Sequence, residues 1–221
     1  MMHQQDDLAI NYQKIKTGLP ENVQLVAVSK TQPSNKIQEL YDVGQRIFGE
    51  NKVQEMVEKS ELLPKDIQWH LIGHLQTNKV KYIAPFVDTI QSVDSAKILA
   101  EINKEAAKNG RIINVLLQVK IAAEDSKFGL EIKECEELFH QFLLGKFPNV
   151  TIKGLMGMAT FTEDENQIQG EFLILKNLFD HLSQQKPLET LSMGMSDDYL
   201  LAINSGANSV RVGSAIFGKR D

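Results

Sequence analysis

The apolar run Leu25-Val26-Ala27-Val28 ends in Ser29-Lys30, and the polar Thr31-Gln32-Pro33 follows at once. That spacing sets a primary amine at the carboxyl end of a β-strand, the end at which barrels of alternating strands and helices carry their chemistry. An amine held there and shielded from bulk water can have a lowered pKa and form an imine with an aldehyde. Taken alone, Lys30 is better explained as a solvated lysine marking the end of a strand. A second cluster near the end of the chain shifts the balance: Ser192-Met193-Gly194-Met195-Ser196, then Val210-Arg211-Val212-Gly213-Ser214.

Ser196 directly precedes Asp197, Asp198 and a helical run, so its simplest role is an N-cap that satisfies free backbone amides. The same amides could receive a phosphate, joined by the Ser196 hydroxyl. Gly213 and Ser214 offer a second set, because glycine permits close backbone approach and Ala215-Ile216-Phe217 starts another helical turn. Both sets fall where loops after the seventh and eighth strands of a barrel commonly hold phosphate. Arg211 alternates with Val210 and Val212; if the valines face the helices, the guanidinium points into the barrel mouth. There it needs a partner, either a neighbouring carboxylate or an acceptor on a ligand ring.

The elements that must position these groups alternate from end to end. Leu8, Tyr12, Ile15 and Leu19 make one helical stripe ahead of the first strand. Helices are expected after Pro33-Ser34 up to Gly44, over 50–59, 78–84, 131–142 and 170–182, and from Asp94 or Ser95 to Gly110. A last one runs from Asp197 to Ser205. Strands are expected over 46–49, 67–73, 87–93, 112–119, 152–159, 188–192 and 209–212. Glu163-Asp164-Glu165-Asn166 reads as an exposed loop. The pattern describes a single α/β domain over residues 1–221, a (β/α)8 TIM-type barrel with an extra N-terminal helix. An open doubly wound sheet is the alternative.

Composition agrees with one soluble globular domain: 221 residues, 42% hydrophobic and 24% charged. A formal charge of -5 gives no reason to expect nucleic acid or an acidic membrane surface as partner. Cys135 is the single cysteine, which excludes an intramolecular disulfide, suits a reducing compartment, and reads as packing. The start Met1-Met2-His3-Gln4-Gln5-Asp6-Asp7 lacks the apolar segment of a signal peptide, and no later run is long enough to span a bilayer. The expected location is cytoplasmic. His70 and His74 are four apart but lack the single helical face of a metal-binding pair, so no metal is expected.

An amine trap for an aldehyde, a phosphate cup and an arginine for a ring nitrogen together describe a site for pyridoxal 5′-phosphate (PLP). From Leu25 to Gly218 the chain resembles the pyridoxal phosphate homeostasis family, single-barrel relatives of the alanine racemase N-terminal domain. The resemblance rests on Ala27-Val28-Ser29-Lys30-Thr31, Phe48-Gly49-Glu50-Asn51, the segment Trp69 to Lys79, Gly154-Leu155-Met156, Ser192 to Asp197 and Val210 to Gly218. It implies a Lys30 aldimine, a phosphate held by Ser196, Gly213 and Ser214, and Arg211 facing the pyridine nitrogen. It also implies Asn51 beside the cofactor and Met193 packed near it. Lys120 stands where many relatives have asparagine.

A permanently charged guanidinium at the ring nitrogen disfavours its protonation and weakens the ring as an electron sink. In racemases of this fold, the resemblance implies, a second base comes from an added β-domain and a partner subunit, whereas this chain stops at Asp221. The expected function is therefore non-catalytic: buffering or delivery of PLP, with PLP-dependent apoenzymes as partners and a monomeric state. The rivals are an amino-acid racemase or related PLP enzyme, and a phospho-ligand barrel in which Lys30 forms only an ion pair.

Overall fold

Short aliphatic runs bounded by polar turns become eight strands: β1 (Gln24–Val28), β2 (Ile47–Glu50), β3 (Gln68–Leu71), β4 (Thr89–Val93), β5 (Ile113–Gln118), β6 (Val150–Met156), β7 (Thr190–Ser192) and β8 (Ser209–Val212). In the computed structural model, which describes residues 8–123 and 128–218, they pair in parallel and in sequence order. β1 also pairs with β8, from Gln24↔Ser209 to Ala27↔Val212, so the sheet is a closed barrel and the open-sheet alternative is excluded.

Nine α-helices accompany the strands among the described residues: α1 (Leu8–Gly18), α2 (Ser34–Asp42), α3 (Val53–Leu62), α4 (Val80–Ile83), α5 (Ala96–Lys108), α6 (Ile132–Leu143), α7 (Glu165–Ser183), α8 (Tyr199–Asn204) and α9 (Ser214–Phe217). α1 is the extra N-terminal helix; it buries Leu8, Tyr12 and Ile15 and lies against α2 and α9. Ser95 rather than Asp94 caps α5, accepting from the Ile98 N–H at 3.3 Å.

Strand alternation divides the buried residues into two sets. Leu25, Ala27, Phe48, Trp69, Ile90, Val115, Leu117, Leu155, Leu191, Val210 and Val212 join the apolar layer shared with the helices. Each such large side chain contributes about 1.5–3 kcal/mol relative to an exposed one. The opposite face of the strands lines the barrel interior, and its buried polar positions include His70, Gln91, Ser192 and Arg211.

Three sequence expectations are corrected. Glu50 does not open a helix; it is the last residue of β2, wholly buried, and α3 starts only at Val53. The exposed tetrapeptide around Asp164 is not simply a loop, because the Asp164 carboxylate caps α7 by accepting from the Asn166 and Gln167 N–H groups. α8 starts at Tyr199 rather than Asp197, since the preceding loop is tied by the Met195 N–H to the Asp198 carboxylate at 2.5 Å. No helix among the described residues is long and apolar enough to cross a membrane.

Candidate functional site

At the carboxyl ends of the strands lies a cavity of about 440 Å³, within the range of small-molecule sites. Lys30, Asn51, Ser196, Arg211, Gly213 and Ser214 all line it. Six of the seven expected site residues, drawn from the ends of four strands, β1, β2, β7 and β8, therefore share one opening.

Lys30 stands two residues beyond β1. The Ser29 N–H still bonds the Gly49 carbonyl at 3.0 Å, as in the ladder, but Thr31 turns sharply into the left-handed region at φ 64. Lys30 is thus carried on the first bend after the strand, which lets its side chain leave the plane of the barrel wall.

The anion cradle forms where the loop after β7 meets the end of β8. The Ser196 hydroxyl oxygen accepts from the Gly213 N–H at 3.2 Å and the Ala215 N–H at 3.4 Å. Ser196 is therefore not the N-cap of α8; it gathers the amides at the start of α9. Convergent N–H donors and a hydroxyl are the donor set that a phosphate monoester needs. Glycine at 213 eases the approach, because a Cβ there would lie 3.2 Å from the Val28 carbonyl oxygen and 3.3 Å from the Val28 Cβ, a tight fit.

Arg211 is 3% exposed, and neither of the hydrogen bonds it makes among the described residues goes to a carboxylate. One terminal nitrogen donates to the Ser192 hydroxyl at 2.6 Å and the other to the Gly157 carbonyl at 2.9 Å. Ser192 donates in turn to Gln91 Oε1 at 2.7 Å, and Gln91 Nε2 lies 2.9 Å from His70 Nδ1. The other ring nitrogen of His70, Nε2, faces the Asp88 carboxylate at 3.5 Å. That contact is the leading reason the Asp88 carboxyl is held below the usual range. A polar file thus crosses the barrel from Asp88 at the foot of β4 to Arg211 at the mouth. Burial pulls the guanidinium down to about 10, with the Asp198 charge opposing, so it remains a cation at neutral pH.

Met193 departs from the expectation. It is fully buried in the apolar core and does not line the cavity; Met195 does. The cause is Gly194, whose φ of 93 reverses the chain between the two methionines. A Cβ at Gly194 would come within 2.6 Å of Ala202 Cβ. Lys120 does not line the cavity either and pairs with Glu131 at 3.0 Å. Cys135 is wholly buried and its thiol is pushed up to about 12, mainly by burial, as befits a packing residue. His3 and the rest of the segment Met1 to Asp7 lie outside the described residues.

Sequence reasoning missed the outer wall of the cavity. His74 lines it, with Nδ1 2.9 Å from the Asp94 carboxylate and its ring stacked on Phe128 at 3.9 Å. Gln118, Met158, Thr160 and Phe161 line it as well. The available signal was position, since each falls at or just after the carboxyl end of a strand. Among the described residues no group of three or more His, Cys, Asp or Glu side chains is placed to hold a metal ion.

The chain is thus a closed eight-stranded parallel barrel that carries an amine, two amides gathered by a hydroxyl, and a buried guanidinium at its carboxyl mouth. The chain belongs to the family described as alanine racemase, N-terminal domain, whose model matches residues 4–221, and within it to the pyridoxal phosphate homeostasis proteins. It is 41% identical to the pyridoxal phosphate homeostasis protein of Aquifex aeolicus (strain VF5), over 93% of this chain and 91% of that one. Among solved structures it is similar to PipY of Synechococcus elongatus PCC7942. The form without PLP has 37% identity and a TM-score of 0.90, covering 96% of this chain and 100% of that one. The form with PLP bound has 36% identity and a TM-score of 0.85 over the same shares.

Proposed function

We propose that this protein binds PLP, carries it covalently on Lys30, and serves intracellular PLP homeostasis by buffering or delivering the cofactor. The observation that carries the reading is the single cavity in which Lys30, the Ser196–Gly213–Ser214 cradle and Arg211 meet. Ser196 and the Gly213 and Ala215 amides bind the phosphate, Arg211 faces the ring nitrogen, and Asn51 flanks the ring. PLP supplies an aldehyde that condenses reversibly with amines. Arg211 disfavours protonation of the ring nitrogen and so withholds the electron sink that carbanion chemistry needs. This supports a carrier over a catalyst, as does the naming of the relatives for homeostasis rather than for a reaction. The protein acts as a cytoplasmic monomer, with PLP-dependent apoenzymes as recipients.

Borohydride reduction of PLP-treated protein followed by peptide mapping tests ligand and attachment residue together. The cofactor mass is expected on the Lys30 peptide and absent in Lys30→Ala. A colourless protein that ignores added PLP defeats the covalent reading. Steady turnover of an amino acid, lost in Lys30→Ala, defeats the non-catalytic one.

A further inference from the structure

Beneath Lys30 lies a cluster of charged side chains that takes no part in the cavity described above. Glu50 is 0% exposed. Its Oε1 accepts from the Ser29 hydroxyl at 2.6 Å and from Lys59 Nζ at 2.7 Å, and its Oε2 is buried with no hydrogen-bond partner among the described residues. Lys59, on α3, also donates to the Ser29 carbonyl at 2.8 Å and to Glu55 Oε1 at 2.6 Å. Glu55 Oε1 in turn accepts the Thr31 N–H at 2.5 Å.

Stability alone is a poor account of this cluster. A buried carboxylate and ammonium, Glu50 and Lys59, with the half-buried Glu55 beside them, are costly to desolvate, and a well-packed apolar set is commonly as stable or more so. Burial raises the Glu50 carboxyl above its ordinary value, against the lowering effect of Lys59 and Ser29. What the cluster achieves is geometric. Its bonds end on the Ser29 hydroxyl, the Ser29 carbonyl and the Thr31 N–H, the polar groups on either side of Lys30. Thr31, moreover, is the one non-glycine residue with positive φ among those described. For a β-branched residue that conformation costs on the order of 1–3 kcal/mol and persists only when its surroundings enforce it.

We propose that Glu50, Glu55 and Lys59 are positioning residues that clamp the backbone on both sides of Lys30 and hold its amine in the geometry for covalent attachment of an aldehyde. The inference rests on the covalent role of Lys30 given above. Attachment joins Nζ to the aldehyde carbon and expels the carbonyl oxygen as water, which carries off the two amine protons. Only the approach geometry of Nζ, not the anchoring of the phosphate, depends on the clamp.

Stopped-flow absorbance of the full chain mixed with PLP reads the attachment rate. Equilibrium binding of 4-deoxypyridoxine 5′-phosphate, which lacks the aldehyde, reads anchoring alone. Glu55→Ala, on the outer part of the cluster, is expected to slow attachment about tenfold, the scale of a small misplacement of a reacting group. Affinity for the analogue should stay within about twofold, and Glu55→Gln, which keeps the acceptor for Thr31, should restore most of the rate. An unchanged rate in folded Glu55→Ala overturns the clamp, as does an analogue affinity that falls in step with the rate. Should Glu55→Ala fail to fold, the substitution is made in a Thr31→Gly background, where positive φ needs no enforcement. There it should slow attachment less than about threefold relative to Thr31→Gly alone; the full penalty overturns the clamp. A wild-type chain that never attaches PLP defeats the covalent role itself, a result distinct from normal wild-type attachment with an indifferent Glu55→Ala.

Discussion

Ser192 shows how one hydroxyl can hold a buried charge in place. It accepts from Arg211 and donates to Gln91, so its removal strands a donor on one side and an acceptor on the other. Ser192→Ala should therefore destabilise the protein by about 1–3 kcal/mol, the cost of leaving a buried polar group unpaired, read as a lowered urea midpoint at unchanged slope. At this scale the sequence is most legible where function meets a strand end. Lys30, Ser196, Arg211, Gly213 and Ser214 are legible only jointly: each alone has a simpler reading, but together at the ends of strands they point to one opening, and all five line one cavity. Met193 does not follow, because a single residue at positive φ reverses which side chain faces the cavity. Neither does the Glu50 cluster, since a glutamate beside a helix start and an i,i+4 Glu–Lys pair look the same whether solvated or buried.

Helices set the mouth of the barrel through their amino-terminal halves. Glu171, on α7, accepts from the Thr160 N–H and hydroxyl, the Ala123 N–H and Gln167, and so ties the loops after β5 and β6 together. Burial works against its ionisation, but the Thr160, Gln167 and Ala123 hydrogen bonds prevail and hold its carboxyl below the ordinary 4.5. A depressed carboxyl contributes stability that is complete above its unfolded value and is lost as pH falls through its folded one. The stability advantage of wild type over Glu171→Gln should therefore be constant at neutral pH and shrink on acidification below 4.5, as checked by urea unfolding across pH. The boundaries of α3, α7 and α8 were the poorly legible part of these elements. Each depends on whether an acidic residue caps a helix, ends a strand or ties a loop, and composition alone does not separate these roles.

For the whole molecule, eight alternating units are visible in the sequence and favour a closed barrel, but an open sheet is excluded only by β1 meeting β8 across nearly the full length of the chain. That same seam joins the two halves of the site, Lys30 after β1 and the cradle after β8. A ligand bridging them should stabilise the native barrel by mass action, about 2.7 kcal/mol at a hundredfold excess over its dissociation constant. PLP is accordingly expected to raise the thermal midpoint, and Lys30→Ala to reduce the rise while the phosphate contacts preserve part of it; differential scanning fluorimetry of both proteins checks this.

The polar file from Asp88 through His70, Gln91 and Ser192 to Arg211 also bears on how such a barrel can change over evolutionary time. Each member supplies its neighbour's missing donor or acceptor, so single replacements are penalised while a concerted swap to aliphatic side chains need not be. A lineage that lost this file would have to exchange these positions together, which makes its gradual replacement an uphill route.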